Sequence, residues 1–238
     1  MSVLTQDILI ANEIKFMIEN KNLQYGSRLP SERELSTILG VQRLTVRLAL
    51  KILIQEGLIY KVERQGYFVA KPRIKDTLYI LQSETEFLKN SNINGNLELV
   101  KFHDIVANKH LSSQMKLPLG TKLFEIIRLL RVDEEPATVD YAYIESKKFP
   151  DFKEPFLKER SIFKVLKDKY DDEVKISNLD ITVIKSSKEV SDLLEIEEGS
   201  NVILQRGLDY TEEKVLVSYS EMIMKPERFS FVSHTDRS

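Results

Sequence analysis

The stretch from residue 30 to residue 70 constrains this chain more than any other. Pro30-Ser31-Glu32-Arg33-Glu34-Leu35 puts a serine three residues ahead of a glutamate at the head of an apolar, helically spaced run. In such a capping box each side chain satisfies an orphan backbone donor at a helix start. Leu35, Ile38 and Leu39 give this short helix a buried face, and Gly40 supplies the left-handed stop. A third helix is expected from near Gln42, with Val46, Ala49, Leu50 and Leu53 repeating at three and four and Gly57 closing it. Two short helices joined by a tight Gly-containing turn make a helix-turn-helix. Residues 58–62 and 67–70 then read as two strands around a turn at 63–66, the wing of a winged helix-turn-helix. An amphipathic helix over about 6–20, with Ile10, Ile14, Met17 and Ile18 on one side, precedes the motif.

Charge follows the same division. Residues 1–75 hold 12 Lys+Arg against 7 Asp+Glu, and the remaining 163 residues hold 23 against 30, so a formal net charge of −2 conceals a basic first third on an acidic body. A basic segment of this kind suits a polyanionic partner. The third helix has the chemistry for DNA. Gln42, Arg43, Thr45 and Arg47 fall in its first two turns, where a recognition helix touches base edges, while its apolar positions are expected to point inward. Arg33 on the second helix suits a phosphate, and Arg64 and Gln65 at the wing tip suit a minor groove or the backbone. Ser31 at the helix start and Gly66 in the wing complete the expected DNA-facing set.

Composition excludes several other classes. Hydrophobic residues at 42% with only 8 Gly and 7 Pro fit a well-packed globular chain. The absence of cysteine removes disulfides and thiolate metal sites, and His103, His110 and His234 lack metal-ligand spacing, so no metal and no cofactor are expected. No apolar run approaches the ~20 residues of a membrane span, and the first residues do not read as a signal peptide, which makes the cytoplasm the expected compartment.

Leu29-Pro30-Ser31-Glu32-Arg33-Glu34-Leu35, Val46-Arg47-x-Ala49-Leu50, Glu56-Gly57-Leu58-Ile59 and Gly66-Tyr67-Phe68-Val69 closely resemble the GntR family of bacterial transcription regulators, continuously over residues 5–72. Two positions depart from the family pattern. Gln42 stands where a serine commonly precedes the arginine, and Arg64 stands where the wing usually has its first glycine. The resemblance implies a dimeric regulator, most often a repressor, on a near-palindromic double-stranded operator.

Periodicity lapses in Lys71-Pro72-Arg73-Ile74-Lys75, which gives an expected division into a winged helix-turn-helix domain at 1–72, a linker at 73–77 and a second domain at 78–238. The second domain reads as α+β with an antiparallel sheet: strands near 97–106 and 174–184, hairpins formed by 123–132 with 137–144 and by 202–210 with 215–224, and a helix at 161–170. Ser186 with Glu189 is expected to cap a further helix. A diverged repeat relates residues 110–120 to 189–199 and the hairpin of Arg128, Asp140 and Tyr141 to that of Arg206, Ser218 and Tyr219, at an offset of 79 in the helix and 78 in the hairpin.

Arg128, Ser161-Ile162-Phe163, the 200–206 strand and Arg228-Phe229-x-Phe231 are similar to the UTRA effector domain of the HutC-type branch of the same family, whose fold resembles that of chorismate lyase. Relatives of this kind bind a small metabolite, often a phosphorylated sugar, and release DNA. The resemblance implies that Arg128 grips an anion, that Ser83, Thr85 and Ser161 contribute hydroxyls, and that Asp140 holds sugar hydroxyls; Arg206 and Tyr219 follow as repeat mates. Leu130, Phe163, Ser218 and Met224 replace the Arg, Tyr, Glu and Tyr of amino-sugar-phosphate sensors, which argues against N-acetylglucosamine 6-phosphate and toward a different phosphosugar or another small anion. Two alternatives stand beside this reading: a small-molecule enzyme of chorismate-lyase-like fold, and a DNA-binding regulator without a ligand. No catalytic triad, metal cluster or phosphate-binding glycine loop supports an enzyme, so no catalytic residue is expected.

Overall fold

A computed structural model describes residues 5–71, 73–77, 84–90 and 93–232. The chain forms two compact units, one ending at Arg73 and the other beginning at Ile74. In the first, helices α1 (Gln6–Asn20), α2 (Glu32–Leu39) and α3 (Arg43–Gln55) precede strands β1 (Ile59–Val62) and β2 (Gly66–Val69). Their apolar stripes meet in one core in which Ile14, Leu35, Val46, Leu50 and Leu53 are almost wholly buried; Ile38, expected on the buried face of α2, is instead 57% exposed. The capping box forms as read: the Glu34 N–H donates to Ser31 Oγ at 3.3 Å and the Ser31 N–H to Glu34 Oε2 at 2.8 Å. Gly40 ends α2 at φ 63°, a left-handed geometry that a side chain resists. The antiparallel wing pairs Ile59 with Val69 and Val62 with Gly66, and Leu29 donates to the Tyr67 carbonyl at 2.8 Å, which ties the wing to the segment entering α2.

The second unit is built on a six-stranded antiparallel sheet of β4 (Gly95–Val106), β5 (Lys122–Val132), β6 (Glu135–Glu145), β7 (Ile176–Lys185), β8 (Asn201–Tyr210) and β9 (Leu216–Met224), in the order β4-β5-β6-β9-β8-β7. Residues 74–77, within the segment read as a linker, form strand β3 (Ile74–Thr77), which pairs in parallel with β10 (Phe229–Val232). Helices α4 (Glu84–Asn90), α5 (Lys109–Met115), α6 (Lys153–Glu159), α7 (Ile162–Tyr170) and α8 (Lys188–Leu194) complete it. The β3–β10 pair, α4 and α6 were absent from the sequence reading because each is short and lacks a sustained period. One cap also moves. Ser187, not Ser186, accepts the Val190 N–H at the start of α8, while Ser186 Oγ takes a 2.8 Å hydrogen bond from Ser191.

The register assigns the two faces of the sheet, since cross-strand partners project to the same side and neighbours along a strand to opposite sides. On one face Ile126, Ala142 and Ile144 pack under α6 and α7 against Phe149, Phe152, Phe156, Ile162, Val165 and Leu166. Further along that face Leu130 and Met224 pack against Ile74 and Phe229 of the β3–β10 pair. On the other face Ile127, Leu129, Val139 and Leu204 pack against Val190 and Leu194 of α8, and Leu123, Tyr143 and Tyr219 against Leu111 and Met115 of α5.

Candidate functional site

In the first unit Ser31, Arg33, Gln42, Arg43, Arg47, Arg64 and Gln65 are exposed, Thr45 is half-buried, and Gly66 is partly covered in the wing. Gln42 is the residue preceding α3, so Arg43 begins its first turn. Arg47 is engaged at its flank: Nη2 donates to Glu32 Oε2 at 2.9 Å and Nε at 3.2 Å, and the Tyr67 hydroxyl donates to Glu32 Oε1 at 2.9 Å. The Arg47 guanidinium holds the Glu32 carboxyl below the usual carboxylate range against the opposing effect of burial. Glu32 thus joins α2, α3 and the wing, and positions Arg47 within the exposed surface. Arg64 takes φ 60°, the left-handed geometry that the glycine usual at this place adopts without cost.

One expectation about α3 fails. Its apolar residues do not all point inward: Leu44 is 61% exposed and Leu48 45%. Both fall outside the three-and-four pattern of Val46, Ala49, Leu50 and Leu53, and that departure was the signal available in the sequence.

In the second unit Arg128 and Asp140 face each other across β5 and β6, and both are at least 97% buried, with relative exposures of 3% and 1%. Arg128 Nε donates to Asp140 Oδ2 at 2.9 Å and Nη2 to the same oxygen, forming a buried ion pair. The pair lies on the α6–α7 face, two residues from Ile126 on one side and Leu130 on the other, so it forms a polar rung between two apolar clusters. The rung continues across the sheet through Met222 to Gln205. Gln205 Oε1 and Thr138 Oγ1, on this same face, are buried and have no hydrogen-bond partner among the described residues. These two polar side chains are absent from the sequence-derived set, because only the strand register places them beside Arg128.

Thr85 and Ser161 are brought together. Thr85 Oγ1 donates to the carbonyl of Arg160 at 3.2 Å, and the next residue, Ser161, caps α7 by accepting the Lys164 N–H at 3.3 Å. Ser83 lies outside the described residues. Leu130 and Met224 are buried in apolar packing, Phe163 packs against the α6–α7 cluster, and Ser218 Oγ donates to Asp209 Oδ2 at 2.6 Å.

Arg206 and Tyr219 are not brought to this rung. Arg206 pairs with Glu221, which pairs with Tyr141, which pairs with Ile127, so Arg206 shares the face opposite Arg128. Tyr219 pairs with Tyr143, itself opposite Glu125, and lies on that same opposite face. There the Tyr219 hydroxyl donates to Glu221 Oε1 at 2.7 Å, His110 Nε2 lies 2.8 Å from the same oxygen, and Arg206 bridges Glu221 and Asp180. Burial, aided by the Glu221 carboxylate, pushes the Tyr219 hydroxyl far above its ordinary value. The repeat explains the divergence of Arg206; Tyr219 shares the face of its own repeat mate, Tyr141. Helices α5 and α8 begin at Lys109 and Lys188, an offset of 79, and carrying 79 into the strand aligns Arg206 with Ile127 and Gly207 with Arg128. Gly207 pairs with Ser220 as Arg128 pairs with Asp140. An offset of 78 slips by one residue, and a one-residue slip changes the face.

A winged helix-turn-helix joined to a second unit with a buried polar rung defines a class: DNA-binding regulators with a separate ligand-type domain. The comparisons with known proteins give the family. The model of the bacterial regulatory proteins of the gntR family matches residues 9–69, and that of the UTRA domain matches residues 92–230, more than half of the chain. The chain belongs to the GntR family of transcription regulators, in the branch that carries a UTRA domain, and its relatives are regulators rather than enzymes. It is 25% identical to the HTH-type transcriptional repressor NagR of Bacillus subtilis over 96% of this chain and 93% of NagR. It is 23% identical to the mannosyl-D-glycerate transport/metabolism system repressor MngR of Escherichia coli, over 93% of this chain and 92% of MngR. The crystal structure of PhnF from Mycobacterium smegmatis superposes with a TM-score of 0.70 at 20% identity, covering 96% of this chain and all of PhnF, which shows the shared fold. No helix among the described residues is long and apolar enough to cross a membrane.

Proposed function

We propose that this repressor binds a near-palindromic operator as a homodimer in the cytoplasm, and that an anionic metabolite, a phosphorylated sugar, controls its operator affinity from the second unit. The observation that carries the reading is the buried Arg128–Asp140 rung between two apolar clusters. A guanidinium suits a phosphate or carboxylate, an aspartate suits sugar hydroxyls, and an apolar surround strengthens both. Gln205 and Thr138 add polar atoms to the same face, and the Thr85–Ser161 pair adds hydroxyls at the start of α7. The names of two relatives, MngR and the "Probable fructoselysine utilization operon transcriptional repressor" of Escherichia coli, also point to sugar-type metabolites. A two-fold dimer matches a two-fold operator, and the effector acts through its different affinity for the DNA-competent and DNA-incompetent arrangements.

The test is a melting-shift screen of the full chain against sugar phosphates, free sugars and small organic anions. An effector at a hundred times its dissociation constant adds about 2.7 kcal/mol of apparent stability. A sugar phosphate that raises the melting point and lowers operator affinity supports the reading, and Gln205→Leu is expected to weaken that response at least tenfold. A response confined to unphosphorylated compounds, or unchanged in Gln205→Leu and Thr85→Val alike, overturns the pocket.

A further inference from the structure

The outward leucines of α3 lie outside the core of the first unit. At about 100° per residue, the buried Val46, Ala49, Leu50 and Leu53 define one side of the helix, and Leu44, Leu48 and Lys51 lie opposite. Leu44 keeps 61% of its surface in water in the first turn, where a leucine contributes nothing to the core of its own unit. Its setting is strongly basic. Helix α3 carries Arg43, Arg47 and Lys51 and no carboxylate, with Arg33 exposed on α2. An exposed apolar side chain at the leading end of a recognition helix whose charged residues are all basic fits the major groove of DNA. Phosphates meet the cations there, and the only apolar feature of the groove floor is the thymine C5-methyl group.

We infer that Leu44 is a specificity-determining residue that selects a thymine in each operator half-site by packing against its methyl group, with Leu48 covering the same methyl from the next turn. Neither leucine can accept or donate a hydrogen bond, so this position reads shape and hydrophobicity alone. Gln42 and Arg43, which precede Leu44, read hydrogen-bonding edges. The discrimination is correspondingly modest. One buried methyl corresponds to about fourfold in affinity per half-site.

The inference rests on the DNA-binding role of the first unit, and the experiment separates the two. Full-length wild type and Leu44→Ala are each used to select duplexes from a random DNA pool, with Phe16→Ala, an exposed apolar residue of α1, as control. Wild type and Phe16→Ala are expected to enrich the same near-palindrome with a preferred thymine in each half, and Leu44→Ala to enrich it with that preference relaxed. Replacing the thymine with deoxyuridine, which lacks only the methyl, is expected to cost wild type about fourfold per half-site and Leu44→Ala less than half of that, since Leu48 then covers the methyl without Leu44. Leu44→Gln is expected to move the preference toward adenine, whose N6 and N7 a glutamine can bond. An identical consensus and an identical deoxyuridine penalty in wild type and Leu44→Ala would overturn the inference while leaving DNA binding intact, and would assign the leucines to a protein contact. Failure of wild type to enrich any sequence would overturn both.

Discussion

The two candidate sites of this molecule are built on opposite principles. The DNA surface is assembled from neighbours along one helix and a wing: every expected contact from Gln42 to Arg47 lies within six consecutive residues, and nearly all are exposed. The proposed effector site is assembled across strands, from Arg128, Asp140, Met222 and Gln205 on four of them, and its ion pair is buried. An exposed site tolerates substitution because water solvates whatever replaces a side chain. In a buried site each polar group depends on its partner, so the same kind of substitution carries a much larger energetic consequence.

The sharpest way to break this contrast is Arg128→Ala. It leaves the Asp140 carboxylate buried without its guanidinium, and a loss of about 3–5 kcal/mol in the stability of the second unit is expected. Replacing both members by Arg128→Met with Asp140→Leu is expected to recover most of that loss while abolishing any anion response. Denaturant unfolding of the three proteins measures both effects. A fall below 1 kcal/mol in Arg128→Ala would mean that the pair is solvated and that the buried rung is not a site of this kind.

A smaller effect is expected where the first unit does contain a linked polar group. Tyr67→Phe removes the hydroxyl that donates to Glu32, and about 1 kcal/mol of stability should go with it. The same carboxylate gives a pH test. Its folded-state value is depressed, first by the hydrogen bond from Arg47, so its contribution is complete above the ordinary glutamate range and disappears as pH falls through the folded value. Glu32→Gln should therefore flatten the acid limb of the first unit's stability profile and lower its stability near neutrality by the same small amount, since a partly exposed pair contributes little. An acid limb as steep as that of wild type would show that Glu32 does not link α2, α3 and the wing.

The same contrast governs how much was legible in the sequence. The capping box of Ser31 and Glu34, the left-handed Gly40 and the wing hairpin depend on residues a few places apart, and each forms as its local chemistry requires. Most strands of the second unit were also legible, because alternation and turn residues are local too. What was not legible needed a register. Gln205 and Thr138 join the Arg128 face only through pairing across the sheet, and Arg206 was misplaced by one residue in the repeat offset, enough to move it to the opposite face. Leu44 and Leu48 were misjudged for a simpler reason: an apolar residue in a helix reads as core unless its angle is checked against the buried stripe.

The smallest predicted effect tests whether an exposed position in the DNA unit can nevertheless be strained. Arg64 is held at φ 60° in the wing turn, where a Cβ crowds the backbone and glycine does not. Arg64→Gly relieves that crowding but adds freedom to the unfolded chain, so the two contributions oppose. The left-handed penalty is the larger, and a net gain of about 0.5–1 kcal/mol in the first unit is expected, read as a higher melting point. Operator affinity should move the other way, because a guanidinium at the wing tip is lost; its signature is a shallower dependence of affinity on salt, by about one phosphate contact. Greater stability with a shallower salt slope would show that Arg64 is kept in a strained geometry for the sake of the phosphate. An unchanged salt slope would mean that the wing tip does not reach the backbone, and that the DNA surface ends at α2 and α3.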